Sequence, residues 1–278
     1  MNPDFQRRVQ RYGWTRAASY YDRSWKEQLQ PAQDRVLEWA DLQPGDRVLD
    51  VACGTGLVTR PAADAVGPEG TVVATDLSEG MLDLGREAAR KRGVTNVSFA
   101  HMDAEDLDVP DRAFDVALCS LGLMYVPDPD QALQEMHRSL APGGRIAVAV
   151  WGRRSQCGWA DVFPIMDRRV KSEVCPLFFQ LGTGDRLAET MRSSGFVDVE
   201  MDRFPVSLDY ETSESACEAA FWGGAVALAW RKFDEEQRKG ARAEYLTSIE
   251  PYRNGDGGYA IPGEFVVARG VRPTAGSS

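Results

Sequence analysis

From residue 46 onward the chain alternates short apolar runs with longer stretches whose apolar positions recur every three or four residues. The runs are RVLDVAC, TVVATDL, VSFAHMD, FDVALCS and RIAVAVW, rich in Val, Ala and Leu and without clean polar alternation. Strands buried on both faces read that way. Between them, 56–66, 79–91 and 130–140 carry helical spacing. Strand, helix and strand at this interval predict a parallel, doubly wound α/β sheet. Residues 1–43 predict helices instead, polar and aromatic at first, amphipathic by AQDRVLEWADL and punctuated by Pro44-Gly45. After Gly152 the pattern is mixed and aromatic to 183. GDRLAETMRSSGF then predicts a helix running into the strand VDVEMDRFPVSL. Residues 213–230 and 233–249 predict two helices, with Gly223-Gly224 interrupting the first. EFVVARG gives a last strand and VRPTAGSS a frayed tail. No repeat or low-complexity linker divides the chain, so one domain with inserted helices is expected.

Composition narrows the class of partner. The 278 residues are 43% hydrophobic and 27% charged, as in ordinary globular proteins, and a core of that size needs no disulfide or metal staple. Lys and Arg total 32 against 42 acids, a formal net charge of −10. Phosphate-backbone binding rests on cationic side chains, and the best basic candidates, Arg7-Arg8 with Arg11 and 86–92, are short, so no nucleic-acid partner is expected. No run of about 18 apolar residues predicts a membrane span, and MNPDFQRRVQRYGW lacks the apolar core of a secretory leader. The five cysteines are widely spaced without a CxxC pair, which fits reduced thiols in the cytoplasm. With only His101 and His137 besides, no metal site is expected.

The candidate chemistry begins where the first strand runs into Asp50-Val51-Ala52-Cys53-Gly54-Thr55-Gly56 and a helix starting near Leu57. A strand ending in Gly-x-Gly and opening a helix lets backbone approach a ligand closely, and the helix start offers unpaired N–H donors. The second strand ends in Asp76, 20 residues past Gly56, where an acid can accept hydrogen bonds from ribose hydroxyls. The third ends in Asp103-Ala104, where an acid could meet an adenine amino group. A dinucleotide fingerprint would place a third glycine where this chain has Thr59. Asp50 would repel a pyrophosphate but suit a ligand carrying ammonium and sulfonium charge. Charge complementarity therefore favours S-adenosylmethionine over a dinucleotide. An NAD-dependent oxidoreductase and a non-catalytic nucleoside- or partner-binding protein stay open as alternatives.

These residues carry a family resemblance. The segment 50–56 resembles the first motif of class I S-adenosylmethionine-dependent methyltransferases, and VVATDLSEGML, AHMDAEDLDVPDRAFDVALCS and LAPGGRIAVAVWG agree in order and separation. The similar group is the small-molecule enzymes that include the ubiquinone/menaquinone-biosynthesis C-methyltransferases; Ala18-Ser19-Tyr20-Tyr21-Asp22 is similar to its N-terminal segment. The match covers about 15–152 well and the remainder loosely. It implies a Rossmann-like, seven-stranded, mostly parallel sheet with helical cap insertions. It also implies an N-terminal helical lid (1–43), a cofactor-binding core (44–152), and the rest of the sheet with a substrate cap (153–278). Gly54 and Gly56 would pass under the methionine part, lined by Ala52, with Asp50 near its ammonium. Asp76 would hold the ribose hydroxyls, Leu77 and Met81 the adenine, and Asp103 with the Ala104 backbone the adenine edge. Cys119 and Ser120 would border the methionine end, and Tyr21 would close over it.

Methyl transfer from a sulfonium mainly requires alignment of nucleophile, methyl carbon and sulfur. A base is needed only for a protonated nucleophile. Tyr125 is the candidate catalytic residue, in the loop LGLMYVPD after the fourth strand, where many relatives carry a histidine nearby. His101 and His137 read as scaffold residues. Cys119-Ser120-Leu121-Gly122 replaces the Asn/Asp-Pro-Pro-Tyr of enzymes acting on amide or exocyclic nitrogens. No Pro-Cys pair marks a cytosine enzyme, and no metal triad a catechol one. The expected partner is a small-molecule acceptor. It would be aromatic or lipophilic if part of the set Trp14, Trp25, Trp151, Trp159, Phe178, Phe179, Phe221, Trp222, Trp230 and Tyr252 lines an apolar pocket. Cys157, Cys175 and Cys217 read as buried small hydrophobes, with metalloid capture by clustered thiolates as the other reading. Oligomeric state is not legible in the chain.

Overall fold

Val48, Leu49 and Val51 are buried on both sides of the central strand β1 (Arg47–Val51). It pairs in parallel with β2 (Thr71–Asp76) and with β4 (Phe114–Ser120). β3 (Val97–His101) extends the sheet beyond β2, and β5 (Leu140–Trp151) extends it beyond β4, both in parallel. β7 (Tyr259–Val271) runs antiparallel between β5 and β6 (Val197–Tyr210). The computed structural model describes residues 3–170 and 177–274. Its sheet order is β3-β2-β1-β4-β5-β7-β6, the expected seven-stranded, mostly parallel Rossmann-like arrangement. Strand order reverses between β1 and β4, and ligands of such sheets bind outside the carboxyl ends of the strands at that point.

Residues 1–43 were expected as helices; the structure has one, α1 (Pro3–Ala40), running through Pro31. Proline removes an intrahelical hydrogen bond and crowds the preceding turn. Here the ring faces solvent, while Leu29, Ala32, Val36 and Ala40 are buried around it. Burying aliphatic side chains of this size is worth about 1.5–3 kcal/mol each, enough to hold the helix together across the defect.

α2 (Thr59–Val66), α3 (Glu79–Arg92) and α4 (Pro129–Ser139) follow β1, β2 and β4. Ser78 caps α3 by accepting the Met81 N–H, Asp128 caps α4 by accepting that of Gln131, and Gly93 closes α3 in the left-handed region. The later insertions are α5 (Val162–Asp167), α6 (Arg186–Ser193), α7 (Ser213–Phe221), α8 (Ala227–Trp230) and α9 (Glu235–Ile249). The break between α7 and α8 falls at the expected glycines. A Cβ on Gly223 would sit 2.9 Å from Ser24 Cβ, so a bare backbone is needed where the break presses on α1.

Candidate functional site

The turn after β1 is held in an uncommon conformation. Ala52 has φ +56°, Gly54 +57° and Gly56 +77°. Left-handed backbone in a non-glycine residue is costly and concentrates at functional sites. The turn after β4 repeats it at Leu121, φ +61°. The two turns meet: a Cβ added to Gly122 would lie 2.4 Å from Ala52 Cβ. A cavity opens there at the carboxyl ends of β1, β2 and β4, and α1 crosses over it.

One end of the cavity is acidic. Asp50 is 1% exposed and accepts a hydrogen bond from Thr59 Oγ1 at 2.6 Å. Burial pushes its carboxyl up to about 7, with Thr59 pulling down and Asp76 adding repulsion. Asp76 accepts the Gly54 N–H at 2.9 Å and the Ser78 N–H at 2.8 Å. Burial raises its pKa too, against those two hydrogen bonds. Asp103 is raised by burial, which Arg7 and His101 offset in part. A buried acidic wall of this kind disfavours a pyrophosphate and suits a cationic, hydroxyl-rich ligand. Leu77, Met81 and Ala104 complete this end.

Of the residues expected from the sequence, Tyr21, Asp50, Ala52, Gly54, Asp76, Leu77, Met81, Asp103, Ala104, Ser120 and Tyr125 come together on the cavity wall. Gly56 and Cys119 do not. Gly56 faces Arg60 and Thr59 at the start of α2, where its positive φ turns the chain. Cys119 is buried in β4, its thiol pushed up to about 12 by burial. Burial also carries the Tyr21 phenol above its ordinary range, with Asp22 and Asp76 adding to it. His101 faces the Leu77 carbonyl at 2.9 Å, and His137 packs edge-on against Phe196, both outside the cavity.

The sequence did not reveal how α1 is fastened over this end. Thr55 Oγ1 donates to Asp22 at 2.5 Å, and the Thr15 and Ser78 hydroxyls are 2.9 Å apart. Arg7 pairs with the buried Glu105, and its Nε lies 3.1 Å from Asp103. Arg7, Gln10 and Trp14 thereby join the wall. A signal was present in polar residues one helical turn apart, since Gln6 and Gln10 are both buried on α1.

The other end is apolar. Trp25 and Leu29 of α1, Met124, Trp151, Trp159, Phe163 and Phe178 enclose it with 224–226. Trp159 stands 4.9 Å from Trp151 and 5.6 Å from Phe178, both edge-on. Tyr125 marks the boundary, edge-on to Trp14 at 4.9 Å and to Phe178 at 5.3 Å. Phe179, Phe221, Trp222, Trp230 and Tyr252 are not in the wall. Cys157 and Cys217 are buried free thiols whose pKa values burial raises to about 12 and about 11. They are protonated, and no group of three metal-ligating side chains occurs among the described residues. Cys175 lies outside the described residues. None of the described helices is long and apolar enough to cross a membrane.

Comparison with known proteins agrees with this geometry. A methyltransferase domain family matches residues 48–144. The demethylmenaquinone methyltransferase of Geobacillus kaustophilus is 34% identical over 224 residues, 72% of this chain and 93% of that protein. The ubiquinone/menaquinone biosynthesis C-methyltransferase of Ectopseudomonas mendocina is 46% identical over 114 residues, 41% of this chain and 44% of its own. Among solved structures, Haemonchus contortus phosphoethanolamine N-methyltransferase 2 with S-adenosyl-L-methionine aligns with TM-score 0.57 and 19% identity, over 88% of this chain and 53% of that one. The cyclase SpnF aligns with TM-score 0.59 and 24% identity, over 91% and 83%. These last two likenesses concern the fold alone.

Proposed function

This chain belongs to the S-adenosylmethionine-dependent methyltransferases that act on small molecules, and we propose that its acceptor is a quinol-type ring held in the aromatic end of the cavity. What carries the reading is the continuity of one cavity from the acidic glycine turn to the aromatic chamber, with Tyr125 at the join. The names of the similar enzymes supply the ring chemistry. The cytoplasm as its place belongs to the same reading, supported by buried free thiols.

The cofactor, when bound, supplies an electrophilic methyl group on a sulfonium. Asp50 would face the positively charged amino-acid part, and Ala52 and Gly54 would pass beneath it with Ser120 alongside. Asp76 has lone pairs left for two ribose hydroxyls, because each of its oxygens is engaged by one backbone N–H. Leu77 and Met81 would hold the adenine faces, and Asp103 with the Ala104 backbone its edge. Gly56 and Cys119 would act from behind the wall, the first by turning the chain and the second by filling β4. Tyr21 and the rest of α1 would keep water from the reacting atoms. Tyr125 would orient the acceptor, since the geometry of an in-line displacement is the main thing the protein must provide.

The test is transfer of labelled methyl from S-adenosylmethionine to a 2-prenyl-1,4-naphthoquinol kept reduced. Label in the organic-soluble quinol, lost in Asp76→Ala, is the expected result. Label appearing only in other small molecules of a mixed panel would remove the quinol from the reading.

A further inference from the structure

The aromatic chamber contains two polar groups that the protein itself leaves unused. Trp159 is 6% exposed, and its Nε1 has no hydrogen-bond partner among the described residues. Gln33 is 8% exposed, lines the same cavity, and its amide makes no hydrogen bond within the described residues. Buried donors and acceptors in native proteins are nearly always partnered, because an unmade hydrogen bond forfeits the hydration given up on burial. One orphan in a packed core can be a tolerated defect, as at Trp230, whose Nε1 is also unpartnered but whose ring stacks on Phe221 away from the cavity. On the wall of an otherwise apolar chamber, the orphaned Trp159 N–H together with the unengaged Gln33 amide is arranged for something that enters it. A site built to hydrogen-bond a ligand oxygen rejects the analogue lacking that oxygen far more strongly than an apolar pocket rejects a small change in size.

We propose that the indole N–H of Trp159 donates to an oxygen of the acceptor ring, with the Gln33 amide as the second polar contact, so that this chamber selects a flat apolar ring bearing a hydrogen-bond-accepting oxygen. This rests on reading the chamber as the acceptor site. It goes further by assigning the groups that read the acceptor. Trp159 and Gln33 are positioning residues for specificity and take no part in the methyl transfer itself. Neither belongs to the acidic end, so cofactor affinity should not depend on them.

The experiment uses the protein saturated with S-adenosylhomocysteine and measures calorimetric affinities for 1-tetralone, its hydrocarbon tetralin, and 2,3-dimethyl-1,4-naphthoquinone. Tetralone and tetralin differ by one carbonyl oxygen. Wild type should bind tetralone about tenfold or more tightly than tetralin. Trp159→Phe should bring that ratio below about threefold while tetralin affinity stays within about twofold. Gln33→Met should lower it partially, and Trp230→Phe should leave it intact. A wild-type ratio near one, a ratio that survives Trp159→Phe, or no binding of either ring would overturn the proposal. The dimethylnaphthoquinone separates it from the reading beneath it. If the quinone fails to bind while the tetralone ratio behaves as stated, the quinol assignment falls and this inference stands. If the quinone binds but the ratio ignores Trp159, the reverse holds.

Discussion

Thr59 donates its hydroxyl to Asp50 at 2.6 Å across the first turn of α2, so the residue standing where a dinucleotide fingerprint would have glycine is the partner of the acid beside the turn. That pair sets a pH dependence. Asp50 sits at about 7 because burial disfavours its charge, while the Thr59 hydrogen bond favours it. A cation in the cavity stabilises the carboxylate, so binding must expel whatever proton Asp50 holds. The pKa is raised, so the proton is held below about 7 and absent above. Affinity for S-adenosylmethionine should therefore be flat above about pH 7 and fall about tenfold per unit below it. Thr59→Val should move the break to higher pH and cost several-fold affinity at neutrality. Asp50→Asn should abolish the slope at a lower plateau. Calorimetric titrations from about pH 5.5 to about 8.5 check this, and an unchanged slope in Asp50→Asn would refute it.

Gly122 and Ala52 touch where the turns after β4 and β1 meet. A methyl at Gly122 would stand 2.4 Å from Ala52 Cβ, and Ala52 already occupies left-handed backbone. Gly122→Ala should destabilise the protein by about 1–3 kcal/mol through overpacking and weaken cofactor binding about tenfold or more. Gly255→Ala, where nothing lies within 4 Å, is the control and should change neither. Thermal melts with and without cofactor separate the two effects.

Arg7 fastens α1 over the end of the cavity at Asp103 and Glu105. Glu105 is 6% exposed and also accepts the Asp128 N–H, so removing its cation leaves a buried acid partly uncompensated. Arg7→Ala should lower stability by about 1–2 kcal/mol and raise the cofactor dissociation rate several-fold. Stopped-flow displacement of bound S-adenosylhomocysteine reads that rate directly. Equal rates in mutant and wild type would mean that α1 does not limit exit.

Glu264 is 6% exposed and takes the Arg153 N–H at 2.9 Å, the Arg153 guanidinium at 3.0 Å and that of Arg203 at 2.7 Å. Burial would raise its pKa, yet the arginine hydrogen bonds win and bring it from an ordinary 4.5 to about 2. A depressed carboxyl stabilises the fold above its unfolded pKa, and that contribution is lost as pH falls from about 4.5 toward about 2. Glu264→Gln should cost about 2 kcal/mol or more at pH 7 and should flatten the acid side of the melting-temperature profile.

Strands β1–β5 and the acids Asp50, Asp76 and Asp103 were legible because buried parallel strands have a recognisable composition and the glycine turn has a fixed spacing to the second acid. α1 was harder. The sequence predicts helices over 1–43 without fixing their number, and tertiary burial of Leu29, Ala32 and Val36 carries a single helix through Pro31. The aromatic chamber was not legible, because an aromatic residue facing a cavity and one facing another ring obey the same periodicity. Trp159 and Phe178 line the cavity, whereas Phe221 stacks on Trp230 at 4.2 Å. Arg7 reads as part of a short basic cluster with Arg8 and Arg11 until the fold brings Glu105 to it, 98 residues away.

The central claim is that the acidic glycine turn holds S-adenosylmethionine through Asp76, and calorimetric titration of the cofactor into wild type, Asp76→Asn and Asp76→Ala tests it most directly. Losing hydrogen bonds to a charged partner is worth about 1.5–3 kcal/mol each. Asp76→Ala should therefore lose about 100-fold or more, and Asp76→Asn about 10-fold, with both proteins still melting cooperatively. A folded Asp76→Ala protein that binds S-adenosylmethionine within about twofold of wild type would contradict the account.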